Sequence, residues 1–571
     1  MDRLSTPGFT PTAGGERIEA LDVVRGFALI GICMMNVEYF NRAIADLGRG
    51  INPSLSGVDF IISYITQYFV TGKFWTIFSL LFGMGFAVML TRADRAGRNF
   101  LGPYLRRILA LAAFGACHSI FLWSGDILFS YSVAALCLLV TMYGRPKYIA
   151  AGIALAVLAG FAPKIAVLAG VPEKSVPDLG AFFGIAGGLA YFSLIAWWLR
   201  GETRVKKLNI PAVGLLFLVA GVLALIGAVV VWILPEAPRE PRLGLPVAGV
   251  ALTLLGILTC KFHEPKSERP WRLGVGMYVL SFFMMTGVGA LAYVVPVKQE
   301  AVQPPAAAAA PATGKAAEAA KEKAKQAAER AKRLKEREEA VKKETKVASS
   351  GTYAEHLELR AERFAEHAPG EIGFATILVG MFLLGSWFVR SGIMENTRAH
   401  LPLFRKLAMY GLPVGIGMGL IGSTIAMHAV PGAQGADGYQ LASGLLMLGN
   451  LPASLGYVGL VIVMLHSGSV FSKIKVLAPF GRMALTNYLT QSVIGAVYYF
   501  GWGFGNFGAS RAHQMAYVAC LIVLQIAFSH FWLARFRYGP MEWLWRAITY
   551  WTLPPMLLNK PAGVPATAGV H

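Results

Sequence analysis

The sequence predicts an all-α, polytopic integral membrane protein of about fourteen transmembrane helices with a charged helical insert. Three observations carry that expectation. Hydrophobic residues make up 55% of the 571-residue chain and charged residues only 15%, and the mean hydropathy is +0.54, values that soluble domains rarely reach. Apolar runs of about 18–25 residues, long enough to cross a bilayer core as helix, recur between short charged clusters. Lysine and arginine gather in alternate loops, as topology signals do.

The same distribution excludes a nucleic-acid partner, although the net charge is +20. The basic residues sit in loops between apolar runs and form no continuous patch. Cys33, Cys117, Cys137, Cys260 and Cys520 all lie in or beside apolar segments. They follow no metal or disulfide spacing and read as small core residues. No cleavable signal peptide is expected, because the opening residues are polar and the first apolar run carries Asp22 and Arg25.

Taken in order, the apolar segments fall near 18–40, 58–91, 104–123, 126–143, 148–170, 179–199, 210–234, 245–260, 272–296, 372–390, 407–429, 440–465, 482–503 and 514–534. The second is long, with a break expected near Gly72, and the eighth is the shortest. These segments divide the chain into a tail at 1–17, an N-terminal transmembrane core at 18–170, extra transmembrane helices at 171–297, a soluble spacer at 298–370, a C-terminal transmembrane core at 371–550 and a tail at 551–571. With the N-terminus placed in the cytoplasm, the short inner loops hold about 25 lysines and arginines and the short outer loops about 7. That bias predicts a multi-pass protein of the cell (inner) membrane, with both termini cytoplasmic.

The spacer opens with the Pro/Ala linker "AVQPPAAAAAPATG" and continues as "KAAEAAKEKAKQAAERAKRLKEREEAVKKE". The second stretch is rich in strong helix formers, with pairs such as Glu318–Lys321 at helical spacing and no sustained apolar face. It reads as a solvated helical spacer on the outer side, with a partner-binding helix as the alternative. Segments of this length are largely exempt from the charge rule.

Three constellations place polar groups inside apolar sequence, where ionisable side chains are costly. In "CHSIFLWSGDIL", Ser124-Gly125 reads as a tight turn, so His118 and Asp126 fall on adjacent antiparallel helices. Asp126 suits an N-cap. His118 suits either an interhelical hydrogen bond or a general base facing a cavity. In "LDVVRGFALIGICMMN", Asp22 and Arg25 are one turn apart and able to pair, and Asn36 lies close to three turns beyond Arg25 on the same face, with Glu38 following. In "FGRMALTNYLTQS", Arg482 sits at the inner surface, while Asn487 and Gln491 share a helix face, either as glue between helices or as binding groups. "RYGPMEWLWRAITYW" reads as an aromatic anchor belt whose Arg537 and Arg546 could also meet a phosphate. His428, His466, His513 and His530 fall near helix ends or in loops, in no metal pattern, and no phosphate loop, nucleophile elbow or dinucleotide fingerprint occurs.

These constellations, in this order, resemble the YeiB family, the membrane family of domain of unknown function 418. The carrying segments are "RIEALDVVRGFALIGICMMNV", "KFWTIFSLLFGMGFAVML", "CHSIFLWSGDILFSYSVAAL", "ILVGMFLLGSWFVRSGIM", "FGRMALTNYLTQSVIGAVYYFGWGFG" and "GPMEWLWRAITYW". The resemblance covers roughly residues 16–170 and 353–550, and the piece from about 172 to 350 reads as an insertion. The family is in turn similar to the heparan-α-glucosaminide N-acetyltransferase group and, more distantly, to membrane O-acyltransferases, through the opening "LDxxRGxAL" helix. That likeness implies transfer of an acyl group from cytoplasmic acyl-CoA, as co-substrate and not as a permanently bound cofactor, to an extracytoplasmic sugar or envelope glycan. In one respect the chain departs from it. The acetyltransferase group carries its histidine shortly after the Asn that ends this helix, whereas "NVEYFNRAIADLGRG" contains none.

The expected mechanism follows. His118 serves as base, Asp126 orients it, and Asn36 donates to the oxyanion. Arg25 with Arg106 or Arg482 holds the CoA phosphates, and Asp22, Asn487 and Gln491 complete the substrate-binding set. The stripe from Arg25 to Asn36 spans about 16 Å, comparable to a pantetheine arm. Two other classes stay open on the residues alone. Intramembrane charges and glycine-broken helices also suit a transporter, and the insert would suit the docking arm of a membrane scaffold.

Overall fold

The computed structural model describes residues 18–97, 99–172, 176, 179–205, 208–234, 238–295, 315–431, 433 and 435–558. The expectations for the tail at 1–17, for the Pro/Ala linker and for the end of the C-terminal tail lie outside the described residues. The N-terminal core comprises α1 (Glu19–Asn41), α2 (Gly57–Ile65), α3 (Lys73–Arg95), α4 (Leu101–Cys117), α5 (Leu128–Tyr143) and α6 (Pro146–Leu168). Next come α7 (Ala181–Arg200), a two-stranded antiparallel ribbon of β1 (Arg204–Val205) and β2 (Ile210–Pro211), α8 (Ala212–Ile233), α9 (Arg239–Phe262) and α10 (Arg269–Val294). Residues 315–367 form α11 (Lys315–Ser350) and α12 (Tyr353–His367). The chain closes with α13 (Glu371–Arg390), α14 (Leu401–Lys406), α15 (Leu412–Ile425), α16 (Tyr439–Leu465), α17 (Leu477–Arg482), α18 (Ala484–Tyr499), α19 (Arg511–Leu533) and α20 (Pro540–Tyr550).

Among the described residues, 12 helical stretches are long and apolar enough to cross a membrane, and Leu128–Tyr143 is a shorter apolar helix. With α18, these account for every expected apolar segment, and the protein is an all-α polytopic membrane protein. The physical reason is simple. A bilayer leaves each backbone polar group to be satisfied within its own helix, so length and hydropathy decide the element. The eighth segment is longer than its apolar core implies. α9 starts at Arg239 and runs through Pro246 to Phe262.

The long second segment does break. Between α2 and α3 lie a π-turn at Thr66–Val70 and Gly72, whose φ is +84°. That φ favours glycine, and a Cβ there would stand 1.9 Å from the Asn450 amide nitrogen.

The centre of the bundle is built from α1, α3, α13 and α16, with Val23, Leu29, Ile77, Leu80, Met381 and Ile462 buried in one cluster. α6, α8 and α9 lie at the edge and turn Leu155, Leu223, Val229 and Leu258 outward, a face suited to lipid. α1 begins at one end of the bundle, here the proximal end, and finishes at the distal end.

α11 belongs to the distal end. Beyond its exposed middle turns, its last turns bury Glu344 and Ala348. The Glu344 carboxylate accepts the Ala45 N–H at 3.1 Å, and Arg337 Nε donates to the Ala45 carbonyl at 2.9 Å, just past the end of α1. Solvation therefore describes only part of the spacer. α12 opens with a reciprocal capping box between Thr352 and Glu355. It buries His356 and Arg360 against the core.

Candidate functional site

α4 ends at Cys117 and the chain then widens into a π-turn over His118–Leu122. Trp123 is extended, the chain reverses at Ser124-Gly125, and α5 starts at Leu128. This reversal brings His118 Nδ1 to 2.8 Å from Asp126 Oδ1. Asp126 precedes α5 by two residues, and its Oδ2 accepts the Phe129 N–H at 2.8 Å. One carboxylate therefore caps α5 and holds the imidazole. Both side chains are almost fully buried, at 1% and 2% exposure. α4 can approach this turn only because residue 115 is glycine. A Cβ there would lie 2.3 Å from the Phe129 nitrogen and 2.8 Å from Asp126 Oδ2.

Paired with an ionised carboxylate, which only accepts, a neutral imidazole carries its proton on Nδ1 and its lone pair on Nε2. Nε2 is buried and has no hydrogen-bond partner among the described residues. The ring packs against Trp123, at a centroid distance of 5.9 Å, and Tyr488, at 5.2 Å.

Below this pair lies a cavity of about 240 Å³. Arg25, Arg107, Arg482 and Arg546 line its proximal part, and Ile127, Leu128, Tyr131 and Tyr488 line its distal part. Four guanidinium groups thus face one lining carboxylate, Glu542. Each arginine is held. Arg25 pairs with Asp22 at 2.9 Å. Arg107 lies over the Trp545 ring at 3.8 Å and Arg546 over Tyr538 at 4.8 Å. Arg482 Nη2 reaches the Arg537 carbonyl at 3.5 Å. Glu542 accepts the Leu485 N–H at 2.7 Å, the Thr486 N–H at 3.1 Å and the Thr486 hydroxyl at 2.6 Å, which fastens α20 to the start of α18. Burial pushes the Glu542 carboxyl up, and these hydrogen bonds oppose the shift.

Of the residues singled out in the sequence, the structure brings His118 to Asp126 and places Arg25 and Arg482 on the cavity. Others lie elsewhere. Arg106 is not part of the cavity wall and donates from Nε to the Thr549 carbonyl at 3.1 Å, while its neighbour Arg107 lines the wall. Asn36 is buried in α1 but is not part of that wall. Asp22 supports Arg25 from behind. Asn487 Nδ2 donates to the Phe480 carbonyl and the Ser529 hydroxyl, both at 3.0 Å. Gln491 Nε2 donates to Gln525 Oε1 at 2.9 Å, and Gln525 Nε2 donates to the Asn487 carbonyl at 3.0 Å. Asn487 and Gln491 therefore join α18 to α19 as polar glue. Sequence reasoning missed Arg107 and Glu542. The signal for Glu542 was a carboxylate set among the interface aromatics of "GPMEWLWR". Among the described residues, no three His, Cys, Asp or Glu side chains converge as a metal site would require.

A bundle of membrane-spanning helices enclosing a basic cavity and a buried His–Asp pair defines a polytopic membrane protein with an intramembrane polar site. Residues 388–552 match the model of a family described as "Protein of unknown function (DUF418)". The chain is 24% identical to the uncharacterised protein YxaH of Bacillus subtilis (strain 168), over 96% of its own length and 97% of the relative's. It is 24% identical to the uncharacterised protein YeiB of Escherichia coli (strain K12), over 94% and 96%. A third relative, an uncharacterised 39.9 kDa protein in the amylase 3′ region of Bacillus acidopullulyticus, is 40% identical over 23% of this chain and 35% of its own. The family-model match and the two near-full-length relatives support a YeiB-like DUF418 family. No solved structure matches it.

Proposed function

We propose that the protein is a transmembrane acyltransferase that takes an acyl group from acyl-CoA at the proximal end and delivers it to a hydroxyl-bearing envelope acceptor, such as a sugar, at the distal end. The single observation that carries this reading is the arginine-lined cavity, which runs from Arg25 and Arg546 up to the residues beside the buried His118–Asp126 pair. Guanidinium groups bind phosphate with paired, charge-assisted hydrogen bonds. The apolar upper cavity would take the acyl–pantetheine arm. The bias of basic residues toward alternate loops supports a cytoplasmic proximal end, where acyl-CoA is available.

Asp126 holds the Nδ1 proton, so Nε2 accepts the proton of the acceptor hydroxyl. The acceptor oxygen bonds to the thioester carbonyl carbon. The C–S bond breaks, and the departing thiolate takes the proton back from the imidazolium to leave as free CoA. Tyr488, which lines the cavity beside the imidazole, is better placed than Asn36 to donate to the oxyanion. Burial of the pair keeps water from competing with the acceptor.

The test uses purified protein in mild detergent with acetyl-CoA and longer acyl-CoAs as probes. Binding, together with slow release of free thiol, is the expected result. Failure to bind any acyl-CoA of the panel would refute the proposal.

A second reading, solute transport, draws on one observation. Lys73 is fully buried at the break between α2 and α3, with its Nζ donating to the Thr71 carbonyl at 3.2 Å. Broken helices with buried charge are common at transport sites. Uptake into proteoliposomes that survives His118→Gln would favour it.

A further inference from the structure

We infer that Arg360 is a positioning residue for His118, acting through the turn that carries the imidazole. The π-turn ends α4 at the distal face, and the last carbonyls of a helix have no partners within it. Arg360, contributed by α12, supplies them. Its Nε donates to the Ile120 carbonyl at 3.0 Å, Nη1 to Leu122 at 3.2 Å and Nη2 to Phe121 at 3.3 Å. Tyr353, on the first turn of α12, donates its hydroxyl to the Phe121 carbonyl at 2.9 Å. Three consecutive carbonyls are thus gathered by one planar fork, a geometry that a lysine ammonium cannot reproduce. The positive charge also stands at the negative end of α4.

Arg360 is 5% exposed, and its own placement is fixed from two sides. The Thr352–Glu355 capping box starts α12, and Arg363, one turn further along, pairs with Glu344 of α11. The chain therefore runs from the insert, through α12, to the backbone of the His118 turn. The sequence separation between Arg360 and Ile120 is 240 residues. Asp126 holds the imidazole from one side of the reversal, and Arg360 holds the backbone from the other. With this clasp loosened, the turn can relax toward an ordinary helical end and rotate His118 away from Asp126.

The consequence for turnover rests on the acyl-transfer reading, but the test does not. Diethylpyrocarbonate modifies accessible imidazoles, and the modified peptides are read by mass spectrometry. We expect His118 to be protected in the unaltered protein, modified at least about tenfold faster in Arg360→Ala, and intermediate in Arg360→Lys. His466 and His513, on other elements, serve as internal references and should not change. Tyr353→Phe removes one bond of the clasp and gives a milder version if Arg360→Ala does not fold. Unchanged His118 protection in the folded variants overturns the proposal. So does an equal rise at His118, His466 and His513, which would give Arg360 a general structural role. If transfer is established, Arg360→Lys should lower kcat while leaving the KM for acetyl-CoA unchanged. Failure to detect transfer leaves the labelling result standing.

Discussion

His118 Nδ1 and Asp126 Oδ1 are 2.8 Å apart, and the other oxygen of the same carboxylate receives the Phe129 N–H at the same distance. The pair therefore links a helix start to the protonation pattern of a buried imidazole, and the two functions can be separated by substitution.

Asp126→Asn separates them. An asparagine caps a helix about as well as an aspartate, so stability should change by less than about 1 kcal/mol. The amide can instead turn its NH₂ toward Nδ1, which moves the ring proton to Nε2 and removes the base. An orienting role alone would make the change mild, whereas this geometry predicts a loss of transfer of about 10²-fold or more. Thiol release and a detergent melting curve, measured on the same preparation, check both halves.

The cavity wall distinguishes two adjacent arginines. Arg107 lines the cavity and Arg106 does not. Arg107→Ala should weaken acetyl-CoA binding by about tenfold or more, the scale of one charge-assisted hydrogen bond. Arg106→Ala should leave binding within about twofold, the effect expected of a group outside the site. Equal losses, measured by titration calorimetry, would remove the cavity from donor binding.

Much of this architecture was legible in the sequence, for a reason specific to membranes. A spanning helix must be long and apolar, so each apolar segment appears, and the break at Gly72 follows from a residue that can adopt φ +84°. The His118–Asp126 contact was legible too, because a short reversal brings residues eight apart together. The choice between Arg106 and Arg107 was not. Neighbours on a helix point about 100° apart, and only the position of α20 decides which one meets the cavity. Asn487 and Gln491 were ambiguous for the same reason, since their partner Gln525 lies on α19. Nothing local to "CHSIFLW" announces Arg360, because the carbonyls it binds belong to backbone that any residue types could provide.

The corner between α9 and α10 should weaken on acidification. Burial, followed by the nearby Arg269 charge, pulls His263 below the usual imidazole range. The Arg269 hydrogen bond at Glu264 holds that carboxyl below the usual carboxylate range. Both folded-state values lie below the unfolded ones, so the contribution to stability is present at neutral pH. The His263 share is lost as pH falls below about 6.5, and the Glu264 share below about 4.3. Protection of residues 260–270 from hydrogen exchange, taken relative to the intrinsic rate at each pH, should fall between pH 7 and pH 5, and His263→Asn should flatten that fall. pH-independent protection in the unaltered protein would contradict the assignment.

Sidedness can be read from the insert. Lys335 is exposed on α11, which belongs to the distal end. In a protein whose five cysteines have been replaced, Lys335→Cys should react with a membrane-impermeant maleimide in intact spheroplasts. Reaction only after lysis would put the insert and the distal end in the cytoplasm, and would reverse the direction of transfer.

The most direct test of the account is His118→Gln, assayed for acetyl-CoA binding and for thiol release in the same detergent preparation. Glutamine keeps polarity and most of the volume but cannot take a proton. Binding should be unchanged, because the arginines line the cavity wall and His118 does not, and thiol release should fall by about 10²-fold or more. Release at the unaltered rate would contradict it and leave His118 as a packing residue.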